Sequence, residues 1–150
     1  KNNKFFLKKI GNSKDSITLD KVINNHFKNQ DKIFLKIDIE NFEYEILDDI
    51  IFNINKIQGI VIEFHNVTKN LDVIKEFLNK ISTNLNLVHI HANNYSIKEA
   101  NQFPEAIELT ISNINLQNQD FDKSREYPLK NLDFPNSKRS PDIKINFEIN

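Results

Sequence analysis

The stretch from Lys32 to Leu47, K-I-F-L-K-I-D-I-E-N-F-E-Y-E-I-L, constrains this chain more than any other. Ile33, Phe34, Leu35 and Ile37 form the short apolar run of a strand buried on both faces. Asp38 and Glu40 fall where such a strand ends. From Asn41 the period changes: Phe42, Ile46, Asp49 and Ile50 follow helical spacing, with Asn41 as the expected N-cap. A buried strand that runs into two carboxylates and then a helix is what an open α/β sheet uses at its ligand crevice.

The rest of the chain repeats this plan. Lys4 to Ile10 reads as a strand turned by Gly11-Asn12-Ser13. Ser16 or Thr18 then caps a helix with Leu19, Val22, Ile23 and Phe27 on one face. The strand Lys32 to Ile39 and a helix over about Asn41 to Phe52 come next. Ile57 to Phe64 is a second apolar run, ending in Glu63-Phe64-His65. A helix over Asn70 to Ile81 carries Leu71, Ile74, Phe77, Leu78 and Ile81, and Leu85 to Ile90 is a third strand, ending in H-I-H-A-N-N. Strand, helix, strand, helix, strand makes two right-handed crossovers, so these three strands should be parallel. After Tyr95 the alternation stops. Glu105 to Ser112 is expected to be an antiparallel edge strand. Beyond Asn113 the chain is turn-rich, and Ile143 to Ile149 alternates like a half-buried strand.

The 150 residues make one domain or a large part of one. We read 1–150 as a single partial domain, with an α/β core over 16–112 and a C-terminal extension over 113–150. A net charge of −1 and scattered Lys and Arg give nucleic acid no basic patch. No apolar run approaches the roughly 18 residues that span a bilayer. With no Cys, disulfides and thiolate chemistry are excluded, which fits the reducing cytoplasm. There is also no Met, so Lys1 is expected to lie within a longer natural sequence. Gly occurs only at Gly11 and Gly59, so a glycine-rich phosphate or nucleotide cradle is missing.

The functional signal is convergence. Three expected parallel strands end in Asp38 and Glu40, in Glu63 and His65, and in His89, His91, Asn93 and Asn94. The carboxyl ends of such strands lie on one rim, where ligands bind. Each group has a blander reading. Asp38 and Glu40 equally suit the charged start of a helix. His65 suits a surface turn, and His89 and His91, two residues apart on one strand face, suit satisfied structural histidines. His26 suits a solvated helix face. Glu63 sits in so apolar a run that it needs a partner or a ligand. Carboxylates with imidazoles also suit Zn, Mn or Fe. No close-spaced ligand pair is present, however, and no metal ligand is assigned.

These motifs in series, T-L-D (Thr18 to Asp20), F-L-K-I-D-I-E-N-F-E-Y-E-I-L and G-I-V-I-E-F-H, resemble the FkbM-type methyltransferases. The signature of that family is a T-L-D turn, a K-x-D-x-E-G-x-E junction and an E-x-H strand. Lys36, Asp38, Glu40 and Glu43 match the junction, and Glu63 and His65 match the strand. H-I-H-A-N-N-Y and L-D-F-P-N-S are similar to stretches of bacterial members tied to surface-polysaccharide genes, which extends the resemblance over Ser16 to Asn136. It implies a class I, Rossmann-like, doubly wound and mostly parallel sheet, with S-adenosylmethionine as cofactor. Asp38 would then lie beside the cofactor's methionine end. Glu40, Glu63, His65 and His91, with Asn93 and Asn94, would line the acceptor side. Glu63 or His65 would be the base for O-methylation of a sugar hydroxyl.

Two departures bear on that expectation. Asn41 stands where the family has Gly, and Asn tolerates left-handed geometry. The family's glycine-rich loop precedes the T-L-D turn, and Lys1 to Asp15 do not supply it. The chain is therefore expected to represent the C-terminal part of the domain and to be inactive alone. The open sheet edge this would leave predicts aggregation or pairing into a homo-oligomer. Two other readings stand beside methyl transfer: a non-catalytic binding module of the same fold, and a metal-dependent hydrolase using the same rim.

Overall fold

Four strands form one mixed sheet, in the order β1-β2-β4-β3. The computed structural model describes residues 5, 7–95, 103–114 and 126–145. In chain order the elements are α1 (Leu19–His26), β1 (Ile33–Ile37), a 3-10 turn (Glu43–Ile46), α2 (Leu47–Phe52), a second 3-10 turn (Ile54–Lys56), β2 (Ile57–His65), α3 (Val67–Ile81), β3 (Asn86–Ala92) and β4 (Ala106–Ser112). β1 and β2 are parallel neighbours, and β4 runs antiparallel to both β2 and β3. β1, β2 and β3 therefore point the same way, and their carboxyl ends share one rim.

β4 is antiparallel as expected, but it is not an edge strand. Gly59 to His65 pair with one side of it and Asn86 to Ala92 with the other. The edges are β1 and β3. Alternation in E-A-I-E-L-T-I-S reports which face is buried and says nothing of how many neighbours a strand has. A register shift between Leu87 and His89 breaks the regularity of the β3 edge, a common protection against edge-to-edge pairing.

The pairing sorts side chains by face. Leu35, Ile37, Ile60, Ile62, Phe64, Ile107, Leu109, Ile111 and Ile90 share one apolar face. They join Leu19 and Ile23 of α1, Leu47 and Ile50 of α2, and Ile74, Phe77 and Ile81 of α3 in one core. Each such side chain, fully buried, contributes about 1.5–3 kcal/mol. The opposite face carries Lys36, Glu63, Glu108, Thr110, His89 and His91. Residues 126–145 lie against its β3 side: His89 Nε2 meets Asp133 Oδ1 at 2.7 Å, and His91 Nε2 meets Asp142 at 3.2 Å.

Several local expectations change. Thr18, rather than Ser16, caps α1, its Oγ1 accepting from the Lys21 N–H. The rest of the T-L-D turn ties helices together: Asp49 Oδ2 accepts from the Asp20 N–H, and Asp20 Oδ1 accepts from Asn53 Nδ2. Phe27 is the C-cap of α1 and largely exposed. The expected helix from Asn41 starts only at Glu43, as a 3-10 turn, and Asn41 is no N-cap. Its φ of 77°, after a φ of 52° at Glu40, blocks a helical start there. The strand expected over Lys4 to Ile10 lies partly outside the described residues. Its described part makes only a bridge from Ile10 to Ile17, with Leu7 exposed. Of Ile143 to Ile149, the described residues give a bridge between Ile145 and Tyr127, and the remainder lies outside them.

An interior β4 makes a measurable prediction. In amide hydrogen exchange, consecutive backbone amides through Ala106–Ser112 should all be protected, because β4 is paired on both sides. Fast exchange at every second amide would place β4 at an edge.

Candidate functional site

The site is built on two adjacent strand ends. Beyond Ile37 the chain cannot continue as a strand, because Glu40 and Asn41 both take left-handed backbone angles. That geometry costs an ordinary L residue about 1–2 kcal/mol, and Asn less. At the end of β2, Asn66 is also left-handed (φ 52°). The two turns meet through a hydrogen bond from Asn66 Nδ2 to Asn41 Oδ1.

Glu43 explains why the first turn persists. Its side chain is fully buried, and its Oε1 accepts from the Ile39 N–H at 3.3 Å and the Asn41 N–H at 3.2 Å. The same oxygen lies 2.9 Å from His65 Nδ1, while Oε2 is buried without a partner. An oxygen already accepting two backbone bonds is an acceptor toward the ring as well, so Nδ1 carries a proton. In the neutral ring this leaves the Nε2 lone pair free, 3.6 Å from Glu40 Oε2. Next along the chain, Tyr44 donates its hydroxyl to the His65 carbonyl at 2.6 Å and packs its ring on Phe64. Adjacent residues thus hold His65 by its ring and by its backbone.

Burial, and then the charge of Glu43, push the Tyr44 phenol from 10.0 up to about 12. For an acid whose folded pKa is raised, the stabilisation is complete below the unfolded value. It is lost as pH climbs from about 10 toward about 12.

The expected convergence is real but divided. Asp38, Glu40 and His65 come together, each offering a ligand atom within 4.8 Å of the others, with both carboxylates exposed. Glu63 belongs to a second group. It is half-buried rather than enclosed, and its Oε1 accepts from Asn93 Nδ2 at 2.7 Å, which supplies the partner its apolar surroundings demanded. Glu108 stands opposite Glu63 on one side and His91 on the other, and it receives Lys36 Nζ at 3.4 Å. β4 is what separates the ends of β2 and β3. Asn94 is buried in a third setting, bonded to the carbonyls of Ser137, Ser140 and Pro141 and to the Ser137 N–H. His91 pairs with Asp142 and His89 pairs with Asp133 through Nε2, but His89 Nδ1 is buried without a hydrogen-bond partner, so it is not fully satisfied. His26 ends α1 on the exposed side.

Glu43 and Tyr44 are the residues that reading by strand ends overlooked. Glu43 closes the K-x-D-x-E-x-x-E pattern, so its spacing was the available signal. Asp133 and Asp142 had none, standing 44 and 51 residues from their histidines.

A family model described as the Methyltransferase FkbM domain matches residues 11–97, more than half of the chain. The chain belongs to the FkbM methyltransferase domain family. The match includes Asp38, Glu40, Glu43, Glu63 and His65, and it stops short of the L-D-F-P-N-S stretch. No curated protein and no solved structure matches the chain.

A titration of tyrosine ultraviolet absorbance, compared with that of Tyr44→Phe, should assign to Tyr44 a phenol ionising near pH 12. In Glu43→Gln the same phenol should ionise at lower pH. An unchanged titration would contradict the contact between Glu43 and Tyr44.

Proposed function

We propose that this chain supplies the acceptor side of an S-adenosylmethionine-dependent O-methyltransferase site, acting on a hydroxyl of a sugar or polysaccharide precursor. Membership of the methyltransferase family carries this reading. The strand order supports the class I, Rossmann-like assignment, with the antiparallel strand next to the edge of an otherwise parallel set. Among the described residues no helix is long and apolar enough to cross a membrane. Cytoplasmic action on a precursor is part of the same proposal.

The residues present fit one end of the cofactor. Asp38 is exposed at the end of β1, where a carboxylate can receive an ammonium group. They do not fit a glycine cradle. An ideal Cβ on Gly11 would fall 2.9 Å from Glu45 Oε2, and one on Gly59 would fall 3.0 Å from the Phe34 ring. Gly11 takes a positive φ of 152°, and Gly59 lies beneath the exposed Phe34 ring, so neither belongs to a glycine-rich turn. The adenosine end must be held by other sequence.

Once bound, S-adenosylmethionine supplies an electrophilic methyl group on its sulfonium sulfur. The chain's own work is to orient a hydroxyl and take its proton. His65 has the geometry of a base: Glu43 fixes the ring and stabilises it if it gains a proton, leaving Nε2 open. Glu63, on the same face of β2, is the second group able to take that proton. Glu40, His91, Asn93 and Asn94 are the polar groups proposed for the acceptor. His91 and Asn94 would reach it only by exchanging their bonds to the C-terminal segment. A binding module of the same fold without catalysis is the second reading.

Calorimetric titration of S-adenosylmethionine separates these readings. The chain alone should bind weakly or not at all, and a form extended upstream to include a glycine-rich segment should bind one equivalent. Binding by neither would overturn the methyl-transfer reading and leave the module.

A further inference from the structure

We propose that Asp38, Glu40 and His65 form a divalent-cation site, with Glu43 as the positioning carboxylate behind His65. The three ligand atoms already lie within 4.8 Å of one another, and His65 Nε2 stands 3.6 Å from Glu40 Oε2. Two ligands about 2.1 Å from one ion, at angles between tetrahedral and octahedral, stand about 3.0–3.5 Å apart. Glu40 and His65 nearly meet that spacing, and the Asp38 ligand atom lies within 4.8 Å of both. The Asp38 carboxylate is exposed, so rotation about its own side chain can bring it to the ion.

Two further observations distinguish this trio from a surface ion pair. The first is Glu43. A metal-binding histidine characteristically gives its other ring N–H to a carboxylate, which fixes the tautomer and raises ligand basicity. Glu43 does this from a fully buried position, leaving Nε2 turned toward Glu40. The second is charge. Asp38, Glu40 and Glu43 bring three carboxylates together, and among the described residues the base ion-paired with Glu40 and Glu43 is His65. The nearby ammonium of Lys36 pairs instead with Glu108 on β4. A divalent ion balances this charge and gives the loose contact between Nε2 and Oε2 a common partner.

Two carboxylates and one imidazole suit Mn²⁺, Fe²⁺ or Zn²⁺ better than Mg²⁺, which favours oxygen donors. Three protein ligands leave positions open for water and for oxygens of an acceptor. The purpose of the site rests on the methyl-transfer reading: the ion would hold the acceptor hydroxyl, and His65 would serve as ligand in place of base. Asp38 would bind the ion through one oxygen and keep the other for the cofactor's ammonium, and Glu63 would take the proton. The existence of the site does not rest on that reading.

The test uses Mn²⁺ alone, followed by loss of its free electron paramagnetic resonance signal as the chain is added. One equivalent should bind. Asp38→Asn and Glu40→Gln, both on exposed side chains, should each weaken binding at least tenfold. Glu43→Gln should weaken it 10–100-fold, whereas Asp72→Asn, on the exposed face of α3, should leave it unchanged. Mn²⁺ that stays free at millimolar concentration, or binding indifferent to Asp38 and Glu40, would overturn the proposal. S-adenosylmethionine titrated in the presence of EDTA into the form extended upstream reads the methyl-transfer hypothesis separately. Cofactor binding without Mn²⁺ binding would remove the cation site alone, and the reverse would remove the methyl-transfer reading alone.

Discussion

The buried carboxylate of Glu43 holds the ends of two parallel strands in one geometry. Its Oε1 takes the backbone N–H groups of Ile39 and Asn41 after β1 and the ring N–H of His65 at the end of β2. A buried carboxylate without such donors would be costly, and one with them is among the stronger non-covalent ties available to a fold. The left-handed turn at Glu40 and Asn41 comes with the Ile39 and Asn41 N–H groups both bonded to that one oxygen. Asp38 and Glu40, on either side of Ile39, keep their carboxylates exposed.

The sheet divides its work between faces. One face is entirely apolar and takes all three helices. The other carries the ionisable groups, and residues 126–145 pair with the histidines of β3 through Asp133 and Asp142. At the carboxyl rim of β1 and β2 the carboxylates of Asp38 and Glu40 are open to solvent. Insertion of β4 between β2 and β3 makes this division possible, because it separates the histidines of β3 from the carboxylates at the ends of β1 and β2.

Much of this was legible in the sequence. The apolar runs gave β1 to β4 to within a few residues, and Thr18 announced the start of α1 by its capping chemistry. The meeting of Asp38, Glu40 and His65 followed from parallel strands ending on one rim. What escaped were properties that depend on neighbours. Strand order is not written in the period of a strand, so β4 read as an edge. Asn41 suits an N-cap and a left-handed turn equally well, and Glu43's reach back to the backbone decided between them. The partners of His89 and His91 lie beyond the reach of any local pattern.

The most direct measurement of Glu43's organising role is the tautomer of His65, read by long-range nitrogen–proton correlation in nuclear magnetic resonance. The account predicts a proton held on Nδ1, and its loss from that nitrogen in Glu43→Ala with the other histidines unchanged. A ring protonated on Nε2, or one that exchanges freely between both forms, would contradict it.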